Sequence, residues 1–416
     1  MTYEEALSYI HGVNWTFCKP GLERIRMLCE KLGNPQASFR CIHVAGTNGK
    51  GSFCAMLESV LRAAGYKTGL FTSPYVKVFN ERMAVNGEMI SNEELAELTE
   101  YVRPYADAME DTPTEFELIS VIGFEYFRRH ACDVVILEAG MGGRLDSTNI
   151  IRDPFLSVIT GIALDHTAFL GDTVEKIAAE KAGIIKDGRP VLYGGENDAA
   201  REIIRATADK RGSDFFDVDY RALDVIRSDL EGSVLNYRTH RDVCISLLGL
   251  YQPKNAAVVL SAVDILRKQG MKLEEDAVKK GLVAARWPAR FEILSRDPLV
   301  IFDGAHNPQG IDAAVNSVKH YFPNQKLYVM TGVLRDKDYH AIAGRLSEIA
   351  SRAFVMTPDN PRALPATEYA DLLSSYGVSA EAYGSVQEAY AAAKREAARD
   401  GVPLLCLGSL YTYASL

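Results

Sequence analysis

The sequence predicts an α/β protein in two unequal parts. A mostly parallel sheet domain carries a glycine-rich phosphate loop (P-loop), and a smaller Rossmann-like α/β domain follows. Three observations predict this. First, the apolar, β-branched run 41–45 leads into three glycines and a lysine within 46–51, then into a helical stripe of Phe53, Met56, Leu57, Val60 and Leu61. Second, other apolar runs end in polar residues suited to chemistry, at Ser73, Glu138 and His166. Third, beyond about residue 298, five strand patterns alternate with four helical ones, the rhythm of a doubly wound sheet.

In chain order, Thr2 and Glu5 form a capping box for a helix over 2–10. A helix over 22–32 stops at Gly33. After the phosphate-loop unit, a strand over 68–72 ends at Ser73-Pro74, at the edge where parallel sheets bind ligands. Asn86-Gly87 marks a turn, and Ser91 caps a helix to about 101. A helix over 114–129 follows, then a strand over 133–137 that delivers Glu138 to a glycine-rich loop ending at Asn149. A strand over 155–160 leads to Leu164-Asp165-His166. A helix over 173–182 closes at Gly183, and a strand spans 190–193. Short β-like pieces fill 213–248, and helices span 252–268 and 274–285. The later strands lie at 299–302, 327–331, 353–356, 380–383 and 404–407. The expected domains are 1–286 and 298–416, with a proline-interrupted linker over 287–297.

Bulk composition narrows the function. At 416 residues the chain exceeds one ordinary core. A hydrophobic fraction of 47% and a charged fraction of 24% are those of a soluble globular protein. A net charge of −9 argues against nucleic-acid binding, which wants a basic face. Nothing near Met1 resembles a signal peptide, and no apolar run is long enough to cross a bilayer, so no membrane partner is expected. The seven cysteines are scattered without a C-x-x-C pair, which suits reduced thiols in a cytoplasm. A monomer is expected.

The loop departs from the usual G-x-x-x-x-G-K-[ST]. Ala45 stands where the first glycine belongs, and the hydroxyl comes two residues after Lys50, at Ser52. A glycine-rich turn with a surface lysine is the bland reading. The strand and helix on either side favour a phosphate held by backbone N–H groups and a helix N-terminus, with Lys50 adding charge and Ser52 able to hold Mg²⁺. Ser52, Ser73, Glu138 and His166 share one sheet edge, which suggests Mg²⁺ ligands, the histidine pointing to a second metal position. Taken singly, Glu138 reads as a capping acid and His166 as a structural loop histidine. Lys181 reads as a lysine complementing the helix dipole. In the second domain, Asp303-Gly304-Ala305-His306-Asn307-Pro308 follows a strand. Asp303 and His306 are placed to reach across a cleft, with Arg290 as a phosphate partner, or Asp303 and Asn307 simply cap the next helix.

Together these motifs occur in the order and spacing of folylpolyglutamate synthases, including bifunctional dihydrofolate synthases, within the Mur ligase superfamily. The chain resembles that family over nearly its whole length. The resemblance implies that Gly46, Thr47, Asn48, Gly49, Lys50, Gly51 and Ser52 cradle ATP. It implies that Ser73 and Glu138 bind one Mg²⁺ and that His166 with Glu138 binds a second. It places a carbamylated lysine at Lys181 as a further metal ligand, reversing the dipole reading. It makes Asn255, Arg290 and Asp303 nucleotide contacts with His306 beside them. Lys50, Glu138, His166, Lys181 and His306 form the expected catalytic set. The implied reaction is ATP-dependent addition of L-glutamate to the terminal carboxylate of tetrahydrofolate, through an acyl phosphate, with dihydropteroate as a second candidate acceptor. Lys19-Pro20-Gly21 and Thr114-Glu115-Phe116-Glu117 are candidate folate contacts. Phe116 suits stacking on a pteridine or, equally, an apolar core position. The sequence departs from the family at Tyr75, where many members have histidine, and at Ala289, where glycine is common. A Mur-type ligase acting on a cell-wall precursor and a non-catalytic nucleotide-binding module are the alternatives.

Overall fold

In a computed structural model that describes residues 1–12, 21–165 and 167–416, the chain builds three sheets. The first uses β1 (Arg40–Ala45), β2 (Thr68–Phe71), β3 (Met83–Val85), β4 (Glu88–Met89), β5 (Val134–Glu138), β6 (Leu156–Ile159), β7 (Val191–Tyr193) and β8 (Phe215–Asp217), in the order β4-β3-β2-β5-β1-β6-β7-β8. From β2 to β8 the pairings are parallel, while β3 and β4 form an antiparallel edge. Side chains alternate across this sheet as the pleat requires. Ile42 and Val44 pack into a cluster with Phe53, Leu57 and Val60, whereas Cys41, Val135 and Leu137 join the opposite cluster with Ile119, Phe124 and Phe127.

The helices that cover these faces include α1 (Tyr3–His11), α2 (Glu23–Lys31), α3 (Lys50–Ala63), α4 (Asn92–Asp107), α5 (Glu115–Arg129), α6 (Thr167–Leu170), α7 (Val174–Ala182), α8 (Asp198–Lys210), α9 (Gln252–Lys268) and α10 (Glu275–Ala284). The capping boxes at Thr2/Glu5 and Thr114/Glu117 are both formed. Helix α4 runs past the expected end at 101, because Val102 and Ala106 remain buried and prolong its apolar stripe. Helix α8 carries a weak apolar signal in the sequence, because its buried face is only Ala200, Ile204 and Ala208. The β-like pieces resolve into β8 and an antiparallel sheet of β9 (Leu223–Asp229), β10 (Gly232–Tyr237) and β11 (His240–Ile245), which packs on α9 and α10.

The second domain has six strands, not five: β12 (Glu292–Arg296), β13 (Leu299–Asp303), β14 (Leu327–Thr331), β15 (Ala350–Val355), β16 (Ser379–Ala382) and β17 (Leu404–Leu407), ordered β12-β13-β17-β14-β15-β16. The extra strand is a correction to the linker reading of 287–297. Residues 292–296 pair antiparallel with β13, and their half-buried edge position leaves little apolar pattern to read. Helices α11 (Pro308–Tyr321), α12 (Tyr339–Ser347), α13 (Ala366–Ser375) and α14 (Val386–Asp400) complete it. No helix among the described residues is long and apolar enough to cross a membrane.

Candidate active site

Strand β1 ends at Ala45 and the chain turns through Gly46 to Gly49 into α3. The loop is pinned from the side by the exit of β6. Thr47 N–H donates to Gly161 O (2.8 Å), the Thr47 hydroxyl donates to Ala163 O (3.2 Å), and the Thr160 hydroxyl donates to Asn48 O (2.8 Å). Gly49 caps α3 at φ 86°, with Asn255 Oδ1 only 2.8 Å from where its Cβ would be, so a side chain here is excluded twice over. A Cβ on Gly51 would lie 2.6 Å from the Trp287 indole. The ring leaves no room for the hydroxyl-bearing side chain that the usual motif has at this position. Ser52 is buried one residue further on, and its hydroxyl accepts from Gln252 Nε2 (3.1 Å); Gln252 Oε1 in turn accepts from Asn255 Nδ2 (2.9 Å).

The ends of β2 and β5 bring Ser73 and Glu138 together. Ser73 N–H donates to Glu138 Oε2 (3.3 Å), and Lys50 Nζ lies 3.8 Å from Glu138 Oε1 while donating to Thr47 O (3.2 Å). Burial pushes the Glu138 carboxyl above its usual range; Lys50, the Ser73 N–H and Arg290 pull it back. The Ser73 hydroxyl is buried without a hydrogen-bond partner among the described residues. A hydroxyl and a buried carboxylate side by side form an oxygen donor pair that fits a hard divalent cation. Among the described residues no group of three His, Cys, Asp or Glu makes a metal cluster, and His166 lies outside them.

Lys181 does not sit at the surface as a dipole partner. It is buried, its Nζ donates to Gly46 O (2.8 Å), and burial together with the Lys50 charge lowers its ammonium to about 7. Lys181, Lys50, Thr47, Gly140 and Asp165 line one crevice. Asp146, absent from the residues the sequence singles out, organises the loop after Glu138. Its carboxylate accepts from Met141 N–H (2.9 Å), Thr148 N–H (3.0 Å) and the Thr148 hydroxyl (2.5 Å). Buried His43 donates from Nε2 to that hydroxyl (2.7 Å). An Asp followed by Ser-Thr is an Asx-turn signal that would have found it. Phe116 is half-buried against Gly140, at the site rather than deep in the core.

The second domain faces this loop. Asp303 does not cap α11. It accepts from the Tyr251 hydroxyl (2.7 Å), Phe291 N–H (3.0 Å) and Ala305 N–H (2.8 Å), and Asn307 is the cap. Arg290 lies over Gly304. His306 donates from Nδ1 to Gly304 O (2.9 Å), and burial lowers its pKa. Further contacts cross beside the loop: Asn48 Nδ2 donates to Gln309 Oε1 (2.6 Å), Asn307 Nδ2 donates to Asn48 Oδ1 (3.3 Å), and Lys337 Nζ pairs with Asp165 (3.4 Å).

Residues 44–263 match the Mur ligase middle domain, and residues 289–410 match the Mur ligase glutamate ligase domain. The dihydrofolate synthase/folylpolyglutamate synthase of Bacillus subtilis is 40% identical over 380 residues, 89% of this chain and 88% of that protein. The chain belongs to the folylpolyglutamate synthase/dihydrofolate synthase family of Mur ligases. Solved structures of the family superpose over the whole chain. Mycobacterium tuberculosis folylpolyglutamate synthase complexed with ADP gives a TM-score of 0.90 at 29% identity, covering 99% of this chain and 97% of that one. The Escherichia coli protein in complex with DHPP and ADP gives 0.86 at 30% identity, covering 100% and 96%. The glutamate ligase match begins at residue 289, ahead of β12.

Proposed function

We propose that the protein is an ATP-dependent ligase joining L-glutamate to the terminal carboxylate of a folate, with dihydropteroate as a second acceptor. The observation that carries this is the convergence of Lys50, Ser73, Glu138 and Lys181 on one end of the phosphate loop, opposite Arg290 and Asp303. A switch or simple nucleotide carrier has no need of a buried lysine and carboxylate beside the γ-phosphate position. The family's printed activities and the ADP and DHPP bound by relatives supply the substrate class.

A carboxylate is a poor electrophile, so amide formation in water needs activation. The acceptor carboxylate attacks the γ-phosphorus of ATP, releasing ADP and leaving an acyl phosphate. The amine of glutamate attacks the carbonyl carbon, and phosphate leaves. Backbone N–H groups of the loop and Lys50 hold the phosphates as charge builds. Ser73 and Glu138, with His166 at a second position, would hold Mg²⁺, which neutralises phosphate charge when bound. Arg290 and Asp303 orient the nucleotide from the second domain. His306 stands in the second domain as a neutral ring: Nδ1–H is committed to Gly304 O, and burial lowers its pKa. The bridges through Asn48 and Lys337 keep the domains together and water away from the acyl phosphate.

The test is purified protein with ATP, Mg²⁺ and labelled glutamate, offered tetrahydrofolate, dihydropteroate or a UDP-muramyl acceptor. Acceptor-dependent ADP release with label in the folate product is expected. Label in the muramyl product, or ATP turnover indifferent to every acceptor, would refute the reading.

A further inference from the structure

Between Ser73 and β3 the chain makes a tight loop held by one carboxylate: Glu81 accepts from the N–H groups of Val76 (2.7 Å), Lys77 (2.9 Å) and Val78 (3.0 Å). The loop ends at Arg82, whose carbonyl accepts from Thr72 N–H (3.0 Å). The guanidinium of Arg82 folds inward. Its carbon lies 5.1 Å from the Tyr75 ring centroid and 5.5 Å from that of Phe79, the two rings being 5.9 Å apart. Nε and Nη1 are buried, and neither has a hydrogen-bond partner among the described residues.

This is an unusual way to keep an arginine. Guanidinium groups out of water are normally paired, and aromatic faces replace only part of the lost hydration. The nearby carboxylates do not satisfy it. Glu115 is engaged by His11 Nδ1 at 3.0 Å, and Glu138 by Ser73 N–H and Lys50. Both lie beyond ion-pair distance, yet both act on the Arg82 charge. Arg82 is therefore a preformed cation with unused donors, within electrostatic reach of Glu138 and on the same loop as Ser73. Its rigid aromatic bed fixes the donors before any ligand arrives. Tyr75 supplies a neutral ring to that bed.

We propose that Arg82 binds the reacting carboxylate of the acceptor, holding it for attack on the γ-phosphate. This rests on the proposed function and names the group that receives the substrate's charge. Its uncommitted donors match carboxylate oxygens, and it places one positive charge on the acceptor side while Lys50 serves the phosphate side.

The experiment is calorimetric titration of the full chain, with a non-hydrolysable ATP analogue present, using tetrahydrofolate and its γ-amide, which lacks only the reacting carboxylate. Arg82→Gln is expected to weaken tetrahydrofolate binding about 10- to 100-fold, the range for a charge-assisted hydrogen bond, and to leave γ-amide binding unchanged. Arg82→Lys, which keeps the charge without the fork, is expected to recover part of the loss and serves if Arg82→Gln does not fold. Equal loss for both ligands, or no loss for either, overturns the proposal. An active wild type with an indifferent Arg82→Gln overturns this proposal alone, whereas a wild type that neither binds nor ligates tetrahydrofolate overturns the proposed function with it.

Discussion

Lys181 Nζ donates a 2.8 Å hydrogen bond to the carbonyl of Gly46, the residue that opens the phosphate loop, and burial, with the Lys50 charge added to it, lowers the Lys181 ammonium to about 7. Two cations facing one phosphate site, Lys181 buried and Lys50 half-buried, repel each other. Addition of CO₂ to the neutral amine gives a carbamate and a proton, turning the repulsion with Lys50 into attraction.

From this follows a first prediction, that Lys181 is carbamylated in the active protein. The reactive neutral amine grows as pH rises through about 7, so the carbamate should form faster at pH 8 than at pH 6. Carbon NMR with labelled bicarbonate should show a carbamate carbonyl in wild type and none in Lys181→Ala. Ligation by that variant should drop about 10- to 100-fold, as for loss of a metal-orienting group, with partial rescue by acetate. A wild-type spectrum without the signal would rule the modification out.

The second prediction concerns Gly51 and Trp287. A Cβ at 51 meets the indole at 2.6 Å, so Gly51→Ala must displace either the ring or the loop. Overpacking of this kind costs about 1–3 kcal/mol, which corresponds to roughly 10- to 100-fold in nucleotide affinity if the loop yields. Trp287→Ala opens the space, so the double variant should bind ADP better than Gly51→Ala alone. Additive losses in the double-mutant cycle would show that the ring is not what excludes the side chain.

Those two contacts also mark where sequence reasoning stops. The alternation of strands and helices was legible because each strand is an apolar run with a turn signal after it. Ser73, Glu138 and Asp303 were legible because a parallel sheet gathers the C-terminal ends of its strands on one edge. Gln252 was not, because its partner Ser52 lies 200 residues away and no local pattern encodes the meeting. Trp287 was hidden in a stretch whose proline suggested only a linker. Strand β12 escaped as a half-buried edge, and α8 because alanines supply much of its buried face. Lys181 shows the reverse case, a residue whose local sequence favoured a surface role that tertiary burial overrode.

A third prediction lies away from the site. The His240 side chain is fully buried between two carboxylates, with Nδ1 2.8 Å from Glu275 and Nε2 3.3 Å from Asp264; Arg267 also reaches Glu275 (3.0 Å). Both ring nitrogens face acceptors, so the imidazolium is the form that fits. Burial alone would lower the His240 pKa, but the hydrogen bonds and charges of Asp264 and Glu275 outweigh it and raise the pKa. Burial would raise the two carboxylates, and His240 and Arg267 lower them instead. The histidine's contribution is therefore complete below its unfolded pKa of about 6.5 and fades as pH rises through the raised folded value. The carboxylates' contribution is complete above about 4 and fades as pH falls through their lowered values. Since Glu275 is 39% exposed, the cluster is worth about 2 kcal/mol rather than the 3–5 of a fully buried pair. Urea unfolding of His240→Gln should lose about that much stability at pH 5.5, and its gap from wild type should narrow steadily towards pH 9. A gap that stays constant across this range would mean that His240 is held as a neutral ring and that the cluster stores no pH-dependent stability.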